Sequence, residues 1–140
     1  MSMENKQSAP PSASREEIDA CFASVSPGSG PLDGQSFEAE ATEKGKDETE
    51  PLHLIFRRGA LLAVECMPYA FGAGSYSTET VGDGSIEFTS EIRSLEHETE
   101  KHLWKGRVGA GEIAGTMTWT DREGKTTEFT FHGRSAGVKG

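Results

Sequence analysis

The chain has no long apolar run. Its longest unbroken stretch is Ala60 to Val64, far short of the roughly 20 residues that a membrane-crossing helix needs. It is also short of positive charge: 14 Lys and Arg stand against 23 Asp and Glu, a net charge of −9. Nucleic acid and anionic membrane surfaces are therefore poor partners, because phosphate binding needs clustered Lys and Arg. Cysteine is scarce. Cys21 and Cys66 lie far apart and in no C-x-x-C pair, which is not a disulfide framework. Free thiols in a reducing compartment are the expectation, and one long-range bridge is the alternative. The N-terminus, MSMENKQSAPPSAS, lacks the apolar segment of a signal peptide, and Ile18-Asp19-Ala20 before Cys21 does not suit a lipoprotein anchor. The default expectation is a cytoplasmic protein.

Glycine, by contrast, is plentiful: 17 residues in 140, above the norm of about 7%. The apolar fraction is only 34%. Together these imply that part of the chain lies outside the core and that the rest turns tightly. The length suits one domain, large enough to bury a core without disulfides or a structural metal.

Met1 to Ala13 is polar, with Ser, Pro and Ala, and reads as a disordered arm. Ser14-Arg15-Glu16-Glu17 is a capping box. Ile18, Cys21, Phe22 and Val25 follow at helical spacing, and Pro27-Gly28 stops the run. These residues predict a three-turn helix that lays its stripe over one mouth of the domain, with Ser26 to Gly34 as a linker. From Gln35 the period becomes 2. Phe37, Ala39 and Ala41 alternate with Glu38, Glu40 and Thr42. Further strands follow at Leu52-Leu54-Phe56, Leu62-Val64-Cys66, Tyr76-Thr78-Thr80 and Ile86-Phe88-Ser90-Ile92. The last three are Trp104-Gly106-Val108, Ile113-Gly115-Met117-Trp119 and Phe129-Phe131-Gly133. Residues 35–134 form the domain, and 135–140 a loose tail.

Eight short strands, each with one apolar face, must close or fold on themselves to bury it. Sequential hairpins are the simplest connection, and closure removes exposed edges. The expected fold is all-β: an eight-stranded antiparallel up-and-down barrel, with a two-sheet sandwich as the alternative. Such a barrel is filled by side chains or holds one small ligand.

The stretch WKGRVGAGEIAGTMTWTDREGKTTEFTFHG, Trp104 to Gly133, carries W-x-G-x-V, a tight turn, G-x-I-x-G-T-x-x-W, a glycine hairpin and F-x-F-x-G. It resembles the closing hairpins of calycin-type barrels, the lipocalin and avidin-like proteins and bacterial proteins of that shape. FRRGALLAVEC and FGAGSY upstream are similar to the last group. The resemblance implies a fold and no catalytic residue. The lipocalin G-x-W of the first strand is absent, with Gly34-Gln35-Ser36-Phe37 in its place.

Chemical motifs are few. His53 and His132 alternate with apolar neighbours and are expected to face outward. His97 and His102 bracket E-T-E-K and are read as surface residues, not as a metal site. Glu43 to Glu50 and Glu96 to Glu100 lack the pattern of a calcium loop. Gly72-Ala73-Gly74 and Gly109-Ala110-Gly111 sit between strands, whereas a phosphate loop opens a helix. No G-x-S-x-G is present, and Cys66, at the inward end of an apolar strand, is read as an inert core thiol. No cofactor and no catalytic residue are expected.

Gly106, Gly115 and Gly133, with Ala39, Ala41 and Ser90, share an inward parity. One reading is geometric: glycine lets barrel strands coil. The other is a cavity against this glycine row, lined by Tyr76, Phe88, Trp104, Gly106, Gly115, Trp119, Phe129 and Phe131. The leading functional expectation is a non-enzymatic barrel for a small apolar or amphipathic ligand. The alternatives are a filled barrel acting as a structural or interaction module and, third, an isomerase or cyclase using a buried ionisable group.

Overall fold

A computed structural model describes residues 14–26 and 28–136. The expectations for 1–13 and 137–140 lie outside the described residues. Helix α1 (Arg15–Ala23) precedes β1 (Ser36–Glu43), β2 (Thr49–Arg57), β3 (Ala60–Ala63), a 3₁₀ helix (Val64–Tyr69), β4 (Gly74–Thr80), β5 (Ile86–Arg93), β6 (Lys101–Gly109), β7 (Glu112–Thr120) and β8 (Thr126–Ala136). The strands form a closed antiparallel barrel in chain order. β1 and β8 zip it shut, with Ala39 opposite Gly133 and Ala41 opposite Phe131. β8 runs through Ser135 and Ala136, two residues past the end expected from the sequence.

Ser14 caps α1 as its capping box requires. Its hydroxyl accepts from the Glu17 amide at 3.1 Å, and the Glu17 carboxylate accepts from the Ser14 amide at 2.9 Å. The helix has nine residues rather than three full turns. Its stripe is buried, but not over a barrel mouth. Phe22 packs with Ala60, Leu62 and Val64 on the outside of the wall, flanked by Ile18, Cys21 and Val25. Arg57 pins the contact, with its guanidinium 4.8 Å above the Phe22 ring and 2.6 Å from Asp19.

This outer cluster corrects the expected register of β3. Leu61 and Ala63 point into the barrel, while Leu62 and Val64 face the helix. A strand covered on both sides is apolar at every position, so Ala60 to Val64 carries no alternation from which parity can be read. Cys66 lies beyond the strand, in the 3₁₀ helix.

One end of the barrel is plugged by the segment expected to be a linker. Leu32 is fully buried among the interior residues. Asp33 anchors it, accepting from the amides of Gly30 and Gly59, each at 2.9 Å, and from the Tyr76 hydroxyl at 2.8 Å. The Leu32 amide donates to the Tyr76 hydroxyl at 3.0 Å. Partial burial pushes the Asp33 carboxyl up, but these hydrogen bonds outweigh it and hold the group below its ordinary value. Arg58 and Gly59, both at positive φ, make the tight β2–β3 hairpin beside the plug.

Above the plug the interior is filled. Phe56 meets Phe37, Tyr76 and Phe88 edge-on, with centroids 6.1, 5.1 and 5.2 Å away. Gly106 pairs with Gly115 across β6 and β7. A Cβ on Gly106 would lie 2.8 Å from the Phe88 ring, and one on Gly115 would collide with the Lys105 carbonyl and the Gly106 backbone. Gly133 is pressed the same way against Glu38 and Ala39. These glycines therefore permit close backbone approach, and Gly106 and Gly115 line neither of the hollows described below.

Candidate functional site

The opposite end of the barrel is open. There the end of β1, the start of β2, the 3₁₀ connection and strands β6, β7 and β8 line a cavity of about 370 Å³. Inward positions of β6, β7 and β8 supply His102, Trp104, Met117, Trp119, Phe129 and Phe131. Ala41 and Leu52 face them from β1 and β2, and Cys66, Tyr69 and Phe71 come from the connection. Three carboxylates, Glu43, Glu50 and Glu65, stand in the lining, which includes no Lys or Arg; Lys46 lies 3.5 Å from Glu43 just outside it.

Of the eight candidate lining residues, the structure brings Trp104, Trp119, Phe129 and Phe131 together here. Tyr76 and Phe88 belong to the filled half with Phe56. Gly106 and Gly115 line no space, for the steric reason given above.

His102 overturns its expected surface position. It is 6% exposed. Its ring stacks on Phe71, with centroids 3.6 Å apart and planes 13° apart. It meets Trp104 and Trp119 edge-on at 6.3 and 6.4 Å. β6 starts at Lys101, so His102 shares the inward parity of Trp104. The signal was present in the sequence: continuing the Trp104-Gly106-Val108 alternation back by two residues reaches it. Burial pushes its pKa down to about 4, so the imidazole is neutral at pH 7.

Two buried side-chain nitrogens among the described residues lack a hydrogen-bond partner, and they sit on adjacent inward positions of this wall: His102 Nδ1 and Trp104 Nε1. Leaving such a group unpaired costs about 1–3 kcal/mol. Trp119, at the rim, is satisfied: its indole donates to Glu100 at 2.9 Å. Trp104 itself is 1% exposed and packs on Phe131 at 5.5 Å.

Two other groups at the mouth, Glu65 and Cys66, are respectively engaged and inert. Glu65 accepts from the His53 amide at 2.6 Å and also pairs with the His53 ring. Burial, helped by Glu65, pushes the Cys66 thiol up to about 12, so it carries no thiolate at neutral pH. Cys21 and Cys66 are both free. Among the described residues, no three His, Cys, Asp or Glu side chains gather as a metal site would require, and no helix is long and apolar enough to cross a membrane.

A larger hollow, about 650 Å³, lies at the plugged end near Asp83, Arg107, Glu112 and Arg134. These side chains are exposed, and Arg107 is held by Glu87 at 2.8 Å. It is a surface depression without buried unpaired groups. Comparison with protein-family models, curated proteins and solved structures finds no match for this chain.

Proposed function

We propose that this protein is a non-enzymatic binding barrel whose open half holds a small apolar or amphipathic molecule. One observation carries the reading. An apolar, aromatic-lined cavity at the unplugged end has two buried nitrogens without partners in its wall. Small-molecule sites have this make-up: mostly apolar walls with a few polar groups that set orientation. The calycin-like resemblance belongs to the same proposal, since a small closed barrel with one open mouth suits that class of binder. Turnover is not part of the reading.

The test is titration with the neutral apolar fluorophore N-phenyl-1-naphthylamine. Saturable gain of probe emission, with quenching of tryptophan, is expected for the wild type. Ala41→Leu, which adds bulk inside the cavity, should abolish it without loss of folding. A wild type that leaves the probe dark refutes the proposal. A second reading, a protein-interaction module, is favoured by Tyr69 and Leu95. They are 73% and 75% exposed and lie in the connections around the open mouth.

A further inference from the structure

The charge and hydrogen-bond character of the open cavity narrow the ligand class. The lining holds three carboxylates at its outer edge and no Lys or Arg. Glu50, exposed at the start of β2, has no ion pair among the described residues. Glu43 is shared with Lys46 at 3.5 Å, and Glu65 with His53. The rest of the lining is rich in aromatic rings, a residue type whose quadrupole attracts cations. Trp104 lines the same cavity, and its buried Nε1 is a donor with no acceptor of its own among the described residues. A fatty acid or other anion would meet negative charge at the entrance and find no cation inside.

We infer, on the basis of the binding reading above, that the cavity selects a flat aromatic molecule carrying a positive charge at the mouth and a hydrogen-bond acceptor at its buried end. The charge sits among Glu43, Glu50 and Glu65. The acceptor takes the Trp104 N–H. Reaching that N–H requires a wall side chain to turn, and Met117, unbranched and adaptable, lines the same cavity. His102 stays neutral beside the buried end and adds no charge of its own.

Calorimetric titration of the full chain with four matched probes tests this. Quinolin-6-ylmethanamine is cationic at neutral pH, quinolin-6-ylmethanol is neutral and quinoline-6-carboxylate is anionic. Naphthalen-2-ylmethanamine keeps the cation and lacks the ring acceptor. At low salt the quinoline amine should bind about tenfold tighter than the alcohol, and the alcohol tighter than the carboxylate. Added salt should shrink the gap. Glu50→Gln should lower the amine's affinity about threefold and narrow its lead over the alcohol. The naphthalene amine should bind about tenfold more weakly than the quinoline amine, as expected for loss of one buried hydrogen bond. Equal affinities for amine and alcohol, or tighter binding of the carboxylate, overturn the charge preference. Equal affinities for the two amines overturn the acceptor. If none of the four displaces N-phenyl-1-naphthylamine from protein that binds it, this inference fails and the binding reading stands. If that fluorophore does not bind either, both fall.

Discussion

Acid should loosen this fold through His102, by an amount that the structure allows to be worked out. The imidazole is neutral in the native protein because burial pushes its pKa down to about 4, whereas in the unfolded chain it returns to about 6.5. The depressed native value means that the unfolded state binds the extra proton as pH falls from 6.5 toward 4. Stability is therefore intact above that window, is lost within it, and levels off below it. By linkage the loss is about 1.4 kcal/mol near pH 5.5 and about 3 kcal/mol near pH 4. Carboxylates also titrate there, so the isolating comparison is His102→Phe, which keeps an aromatic ring against Phe71 and removes the proton. Urea unfolding of both proteins across this range measures the difference. Near pH 7 the variant should match the wild type or exceed it, because an unpaired buried nitrogen is gone. Near pH 4 its advantage should have grown by about 3 kcal/mol. A stability difference that stays flat with pH would falsify the buried, neutral state of His102.

Gly115→Ala should destabilise by about 1–3 kcal/mol or more, because its methyl meets the Lys105 carbonyl rather than a void; thermal melting near that of the wild type would show that the β6–β7 approach is looser than described. Phe22→Ala should cost about 3–5 kcal/mol and detach α1 from Leu62 and Val64, measured by urea unfolding; an unchanged midpoint would mean that the helix does not hold the wall. Phe131→Ala should cost about 3–5 kcal/mol and Trp119→Ala clearly less, because Trp119 stands half-buried at the rim; equal losses in the same assay would contradict that placement.

The barrel was legible because most strands have one dry and one wet face. Phe37-Ala39-Ala41 and Phe88-Ser90-Ile92 alternate with charged and polar neighbours, and their parity survives in the structure. β3 was not legible in that way, because α1 makes its outer face as dry as its inner one. The plug was hidden for a different reason. Gly28 to Gly34 has linker composition, and nothing local marks Leu32 as the residue that enters the barrel. Its burial depends on Asp33, Gly59 and Tyr76 meeting from distant positions. The aromatic half of the candidate site followed from parity alone. Its polar part did not, since the sequence reads His102 as a surface residue instead of the first inward position of β6. The glycine row was equally open to two readings in the sequence, and only the packing of Phe88, Lys105 and Ala39 around it decides between them.

On the binding reading, Trp104 and its neighbours form the wall of a ligand site. The most direct measurement is the ¹⁵N–¹H spectrum of the full chain, which carries two indole N–H resonances, assigned with Trp119→Phe. On saturation with quinolin-6-ylmethanamine the Trp104 resonance should move strongly, as its unpaired N–H gains an acceptor. The Trp119 resonance should move less, since its N–H already donates to Glu100. A Trp104 resonance that stays in place while the probe is bound would put the ligand elsewhere and refute the binding site at Trp104.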